Sequence, residues 1–306
     1  MINVTLIGTG GMIPTPNRFL SSCLIEYNGK SVLIDCGEGT QISLSKGKIS
    51  MNKIDAILIT HCHADHVTGL PGLLLTVGNS MRTEPVYIIV PKGFANIINS
   101  LLIVCGFLPY EVRIVEISEN KQQQFEFIGL NITSFPLRHH ISCLGYSFEL
   151  ILKPRFLPEK AEKLNIPLNL WKILHNGNSV THENSMYTPD MVLGKSRKPI
   201  KISFATDTRP VKSINEAVAN SDLFICEGMY GDDELYDNAV EKKHMLFSEA
   251  ALIAKDSNVK ELWLTHYSPS LVNPEQFLEQ AKKIFPNTVA GYDLMTKKII
   301  PESEEE

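Results

Sequence analysis

Residues 57–70 read ILITHCHADHVTGL, an aliphatic run that stops at three histidines and an aspartate within six positions. A strand end fixes the direction of the backbone and frees the next residue from the ladder, so that residue can aim its side chain into a cleft. In H-x-H-x-D-H, alternate residues of an extended turn put His61 and His63 on one side. Asp65 and His66 follow where a helix begins, and can point to a second position. Imidazole and carboxylate together suit Zn²⁺, and also Mn²⁺ or Fe²⁺. Two further strands end alike: SFAT runs into Asp207 and LWLT into His266. Three such ends argue for one shared site at one edge of the sheets. One cation cannot use all six side chains. Two cations roughly 3.5–4 Å apart can, with a carboxylate bridging them. Cys62 lies between two of these residues and is expected to face the other way.

The rest of the chain alternates short apolar strands with helical stretches. VTLIG, SCLIEY and SVLIDC read as strands, with a turn at Asn28-Gly29 between the second and third. A short helix at GEGTQISLS, the strand AILIT and a helix over 65–77 follow. VYIIV, EVRIVEI, FEFIG, NITSFPL, GYSFELI, KISFATD, LFICEG, ELWLTH and a last strand VAGYD complete the pattern, with helices at FANIINSLLIVCG, INEAVAN, SEAALIAKDS and PEQFLEQAKKIF. The two halves echo each other. Two sheets packed face to face with helices outside accommodate this α/β content.

Residues 152–200 break the rhythm with five prolines and few strand-like runs, and read as an arm inserted into a single domain spanning 1–306. The chain's net charge is −5, yet residues 150–201 hold nine Lys/Arg and four acids, a local +5 against −10 elsewhere. A basic segment on an acidic body is the footprint of a polyanion-binding surface or of a solvated insertion. No apolar run approaches the ~18–20 residues of a membrane span, and the start MINVTLIGTGG reads as a strand and turn, not as a signal peptide. Six scattered cysteines without a C-x-x-C pair fit free thiols in a reducing cytoplasm. The tail PESEEE is charged and apolar-poor, and is expected to be disordered.

The pattern resembles the metallo-β-lactamase superfamily and, within it, the ribonuclease Z family of transfer-RNA 3′ endonucleases. The likeness rests on LIGTGGMIPTPNR at the start, LIDCGEGTQ at 33–41, HCHADHVTGLPGLL at 61–74, PLRHHISCLGY at 136–146, ATDTRP at 205–210, HMLFSEAA at 244–251 and LTHYS at 264–268. It implies an αββα sandwich, the metallo-β-lactamase fold, with a projecting arm. It implies one Zn²⁺ held by His61, His63, His139 and Asp207, and a second held by Asp65, His66, His266 and the same Asp207. His139 is preferred to His140 because it stands six residues before Gly145-Tyr146. Asp35 either fixes a ligand imidazole or caps the following helix, and the two roles are compatible.

The implied reaction is hydrolysis of a phosphodiester in precursor transfer RNA. Asp65 would take the proton of the attacking water and His244 would stabilise the phosphate or protonate the leaving 3′ oxygen, with Glu227 orienting His244. The resemblance also implies a homodimer, the arm of one subunit serving the site of the other. Four features depart from the family: no Gly-Pro pair in the arm, Met245-Leu246 after the histidine, Ser268-Pro269 where a Ser-Arg is usual, and Cys226 where a histidine is common. Arg209 and the arm's Lys195, Arg197 and Lys198 are expected to replace lost phosphate contacts, and Trp171 to stack on a base or pack the arm. The alternative reading is a related dimetal hydrolase acting on a small phosphodiester, cyclic nucleotide or sulfate ester.

Overall fold

The computed structural model describes residues 1–183 and 185–301. All but the first residue of the PESEEE tail therefore lies outside the described residues. In chain order the strands are β1 (Ile2–Gly8), β2 (Ser22–Tyr27), β3 (Lys30–Ile34), β4 (Ile54–Leu58), β5 (Val86–Pro91), β6 (Val112–Ile117), β7 (Gln123–Phe127), β8 (Leu130–Pro136), β9 (Leu144–Leu150), β10 (Val180–His182), β11 (Ser185–Tyr187), β12 (Ile200–Ala205), β13 (Leu223–Glu227), β14 (Leu262–Thr265), β15 (Thr288–Ala290) and β16 (Thr296–Ile299). They form one seven-stranded sheet in the order β16-β1-β2-β3-β4-β5-β6 and another in the order β15-β14-β13-β12-β9-β8-β7. Each sheet has an antiparallel part and a parallel part, the latter β3 to β6 in the first and β12 to β15 in the second. The β2–β3 hairpin turns at Asn28 (φ 55°) and Gly29 (φ 78°), the two positive dihedrals that a tight two-residue turn demands.

The inner parallel strands are apolar on both faces because both faces are covered, while the edge strand β6 stays half exposed. Leu33, Ile57 and Ile88 pack with Leu70 and Leu74 of the helix Leu70–Asn79. Phe224, Leu262 and Leu264 pack with Ala250, Ala254 and Ala281 of the helices Phe247–Asp256 and Leu278–Ile284. Their neighbours along the strands, Val32, Leu58, Ile225 and Trp263, are equally buried. The result is a sandwich of two sheets between two helical layers. Leu144 N–H donates to Thr60 O (2.9 Å), Tyr146 Oη–H to Ile59 O (2.7 Å) and Tyr267 N–H to Thr9 O (2.9 Å), tying the sheets together along one edge.

That edge is where the ligand-type residues emerge. Ile34 pairs with Leu58, so Asp35 and the Ile59–His61 segment leave the first sheet together. Ala205 pairs with Cys226 and Glu227 with Thr265, so Asp207, Glu227 and His266 leave the second sheet side by side.

The expected helix over 65–77 is two pieces, Ala64–Val67 and Leu70–Asn79. The break falls at Gly69, whose N–H donates to Cys36 O (2.9 Å) and where a Cβ would strike the backbone of Gly37. VAGYD is not the last strand: β16 follows and pairs with β1. A helix Tyr236–Lys242 is also present that the sequence reading did not include.

The chain divides into two compact units. The first is the sandwich, residues 1–149 and 200–300. The second contains Leu150–Pro199, with helices Pro158–Lys163, Leu168–His175 and Pro189–Val192 and the β10–β11 ribbon. Its own small core is Ala161, Ile166, Leu170, Leu174 and Val192. No helix among the described residues is long and apolar enough to cross a membrane.

Candidate metal centre

Three residues of the centre sit in left-handed backbone though none is glycine: Asp35 (φ 56°), Asp207 (φ 54°) and His266 (φ 57°). Each lies just past a strand end. This conformation costs roughly 1–3 kcal/mol per residue and turns the side chain out of the ladder. Strain of this kind clusters where side-chain aim matters more than stability.

Two donor clusters result. In the first, His61 Nε2 lies 3.0 Å from His63 Nδ1, which lies 3.2 Å from His139 Nε2. Asp207 Oδ2 closes it at 3.6 Å from His61 Nε2 and 3.8 Å from His139 Nε2. In the second, His66 Nε2 lies 3.2 Å from His266 Nε2, and Asp65 Oδ2 stands 3.6 and 3.5 Å from these two nitrogens. Asp207 Oδ1 faces this cluster at 3.3 Å from His66 and 3.1 Å from His266. One carboxylate thus gives one oxygen to each cluster.

The tautomers are set from behind. Asp35 is fully buried and does not cap a helix. Its Oδ1 accepts Thr60 N–H (2.8 Å), and its Oδ2 accepts the Thr60 hydroxyl (2.8 Å) and His66 Nδ1–H (2.7 Å). Having donated to Asp35, the Thr60 oxygen accepts His61 Nδ1–H at 3.1 Å. His139 Nδ1–H donates to Lys243 O at 3.3 Å. In their neutral forms these three imidazoles therefore turn a lone pair inward at Nε2. Each close pair, 3.0–3.2 Å apart, therefore needs either a proton from His63 or His266 or a cation between its nitrogens. Tetrahedral Zn–N bonds of ~2.0–2.1 Å imply ligand edges of about 3.3–3.4 Å, close to these separations.

Charge follows the same logic. Burial, then the neighbouring His66, keeps the His61 imidazole well below its usual range. Burial lowers His139 to about 4. Both imidazoles are neutral at pH 7. Burial works against a charge on His66 too, but Asp207, Asp35 and Asp65 overcome it and raise its proton affinity well above normal, so positive charge is favoured in the second cluster. Burial favours a proton on Asp65, yet His66 and His266 outweigh it and hold the carboxyl below the usual range. The donor set and its charges fit divalent metal binding.

His63, Asp65, His139, Asp207, His244 and His266 line an open cleft of about 230 Å³. Burial opposes a charge on His244, but Glu227 outweighs it and raises the imidazole to about 9. Glu227 Oε2 lies 3.0 Å from His244 Nδ1 and accepts Met245 N–H (3.1 Å), while Oε1 accepts Thr208 N–H (2.5 Å). His244 turns Nδ1 to Glu227, and its ring also stands close enough to Asp207 and His266 for the three to form a further group of ligand-type atoms. Cys62 packs against the apolar cluster that holds Leu70 and Leu74 and is not among the grouped donor residues.

Arg209 does not line this cleft. It borders a separate cavity of about 410 Å³ with Arg138, Tyr236 and Lys243, and its guanidinium is paired with Glu249. In the arm, the Trp171 ring lies tilted against Phe156 (5.1 Å between centres) and its Nε1–H donates to Ile166 O (2.9 Å), so it packs the arm's core. Lys195 and Lys198 are exposed and Arg197 is half-buried.

Sequence reasoning missed Thr60, the Lys243 carbonyl, and the Met12 N–H that donates to Asp65 Oδ2 (2.7 Å). A signal existed for the first: Thr60-His61, Thr206-Asp207 and Thr265-His266 all place a threonine before a site residue, and Thr206 Oγ1–H donates to Asp207 Oδ1 (2.7 Å).

A family profile described as "Anti-Pycsar protein Apyc1" matches residues 2–192. The chain is 49% identical to ribonuclease Z of Clostridium acetobutylicum over 304 residues, covering 98% of each. It is 47% identical to ribonuclease Z of Lachnospira eligens over 299 residues, again 98% of each. The structure of human tRNase Z, short form, matches with TM-score 0.68 and 25% identity over 97% of this chain and 99% of that one. The metallo-β-lactamase fold protein YhfI from Bacillus subtilis matches with TM-score 0.70 and 19% identity over 97% and 100%, and shows the fold. With two curated relatives aligned end to end at this level, and with the donor residues converging on one edge of a metallo-β-lactamase sandwich, the chain belongs to the ribonuclease Z family.

Proposed function

We propose that the protein is a zinc-dependent phosphodiesterase that cuts precursor transfer RNA endonucleolytically at its 3′ end. The observation that carries the reading is the shared carboxylate: Asp207 offers Oδ1 to one cluster and Oδ2 to the other. His61, His63, His139 and Asp207 would hold one Zn²⁺, and Asp65, His66, His266 and Asp207 the other. When bound, the two ions supply Lewis acidity toward the phosphate oxygens and acidify the attacking water.

The chain's own groups complete the reaction. Asp65 is held as a carboxylate and takes the water's proton as the new P–O bond forms. His244, held protonated by Glu227, gives its Nε2 proton to the leaving 3′ oxygen as the old P–O bond breaks. The arm, through Lys195, Arg197 and Lys198, would hold the RNA backbone, each contact to phosphate being salt-sensitive. Free cysteines throughout agree with a cytoplasmic protein. By family likeness it would act as a homodimer.

The match of residues 2–192 to a differently described profile favours keeping a second reading, a dimetal hydrolase of a small phosphodiester or cyclic nucleotide. The test is cleavage of a precursor transfer RNA by purified protein with Zn²⁺ or Mn²⁺, with the cut site mapped, beside Asp65→Ala and a deletion of 154–199. The first reading expects a cut at the 3′ end of the mature sequence, lost in Asp65→Ala. It expects the deletion to abolish that cut and to spare a small chromogenic phosphodiester. Cutting that survives Asp65→Ala refutes the assigned chemistry, and equal loss of both substrates in the deletion removes the arm as a substrate grip.

A further inference from the structure

The segment His244-Met245-Leu246 carries the proposed acid and lies outside any helix. It lies between the helices Tyr236–Lys242 and Phe247–Asp256. His244 N–H donates to Ala239 O (2.9 Å) and Met245 O accepts Tyr230 N–H (3.4 Å), and two carboxylates hold the rest. Glu227 takes the His244 ring and Met245 N–H. Glu249 takes Leu246 N–H at 3.0 Å. Arg209 closes the loop: its Nη1 donates to the His244 carbonyl at 2.5 Å and to Glu249 Oε2 at 2.8 Å, and its Nη2 donates to Glu249 Oε1. The guanidinium also lies over the Tyr236 ring, 5.5 Å from its centre. Its side chain is 11% exposed.

Arg209 is two residues beyond Asp207, and Thr208 between them donates its N–H to Glu227. One short strand-end segment therefore anchors the metal-facing carboxylate and both holders of His244. A guanidinium fork matched to a carboxylate and a carbonyl fixes orientation as well as distance. A fork so committed, and largely covered, has little left to offer a phosphate.

We infer that Arg209 and Glu249 form a clamp that positions His244 over the cleft, and that Arg209 is a positioning residue for the acid rather than an RNA contact. This deepens the proposed function and rests on it for the RNA assays. The alternative role makes opposite predictions. A phosphate contact would raise KM and reduce the salt slope by about one when removed. A misplaced acid lowers kcat, and shifts near 1 Å cost on the order of a hundredfold.

The experiment uses full-length Zn²⁺-loaded protein with Arg209→Gln, Glu249→Gln and the exchange Arg209→Glu/Glu249→Arg. Each is checked for metal content and melting temperature. With precursor transfer RNA, both single variants should lose at least tenfold in kcat with KM and salt slope unchanged. The exchange should not recover, because a glutamate at 209 cannot donate to the His244 carbonyl. A raised KM with a flatter salt slope in Arg209→Gln alone would overturn the clamp, as would recovery in the exchange variant. The second readout needs no substrate. The His244 Nδ1 proton, held by Glu227, should give a slowly exchanging downfield NMR signal, identified by its loss in His244→Ala. Broadening of that signal in Arg209→Gln is expected, and an unchanged signal there refutes the clamp. Wild-type protein that leaves precursor transfer RNA intact removes the substrate reading while the NMR arm still decides the clamp.

Discussion

Asp35→Asn removes a charge and almost no volume from the back of the metal centre, so its consequence can be worked atom by atom. Asparagine tolerates the left-handed backbone found at this position (φ 56°), so the strand end stays put. Its amide has one oxygen to replace two. Kept at the Oδ1 place, that oxygen still accepts Thr60 N–H at 2.8 Å. The NH₂ then stands at the Oδ2 place, facing His66 Nδ1–H at 2.7 Å and the Thr60 hydroxyl at 2.8 Å. Donor meets donor, and the imidazole relieves the clash by moving its proton to Nε2. That nitrogen is the one 3.2 Å from His266 Nε2 and 3.3 Å from Asp207 Oδ1, so its lone pair is lost where a metal needs it. Losing such a carboxylate–histidine pair costs about 10–100-fold in metal affinity, or ~1.4–2.8 kcal/mol. The loss should fall on the cluster of Asp65, His66 and His266. The cluster of His61 should suffer less, because His61 reaches Asp35 only through Thr60. A Zn²⁺ titration against a chromophoric chelator separates the two steps, and melting in excess chelator confirms that the metal-free fold survives. Wild-type affinity at both steps would refute the argument that Asp35 sets the His66 tautomer.

Other consequences can be measured directly. Gly11→Ala would place a Cβ 2.7 Å from Cε1 of His266, so the ring must shift, and metal content should drop toward one ion per chain by elemental analysis; full loading would contradict this. Burial disfavours charge on His244, but Glu227, then Asp207 and Asp65, raise it to about 9, so its proton is present at neutral pH and lost as pH rises through about 9. The pH–kcat profile should fall on that side, and Glu227→Gln should move the fall to lower pH by about one unit or more; movement upward would disprove the pairing. Leu174, fully buried in the arm's core, should cost the arm about 2–4 kcal/mol as Leu174→Ala. RNA cleavage should weaken while hydrolysis of a small chromogenic phosphodiester holds, and parallel losses would count against the arm as a grip.

What the sequence made legible was the part of the site written in local order. H-x-H-x-D-H, with strands ending at Asp207 and His266, was enough to divide the donors between two positions, because a strand end followed by a ligand-type residue is a local pattern with one geometric meaning. The layers followed from the same kind of signal, apolar runs too short for anything but buried strands. What escaped depends on atoms brought together from distant positions. DCGEGTQ offered Asp35 as the holder of a ligand imidazole but not which one, nor the Thr60 bond, and nothing in DTRP tells that Arg209 will be taken by Glu249, forty positions on. A basic residue two positions from a metal-facing aspartate reads as a phosphate contact until its partner is known. The left-handed aspartates and histidine were invisible for another reason: glycine marks positive φ when the backbone alone demands it, whereas here the strain is borne by residues that must also present a ligand atom. Helix 65–77 broke at Gly69 because a carbonyl from the Asp35 loop occupies the space a longer helix would need, so the loop that carries Asp35 also decides where the helix bearing Asp65 and His66 must end. The two halves of the second donor cluster are therefore coupled through packing as well as through the Asp35–His66 bond, and a substitution at Gly69 should loosen that cluster while leaving the donors of the first in place.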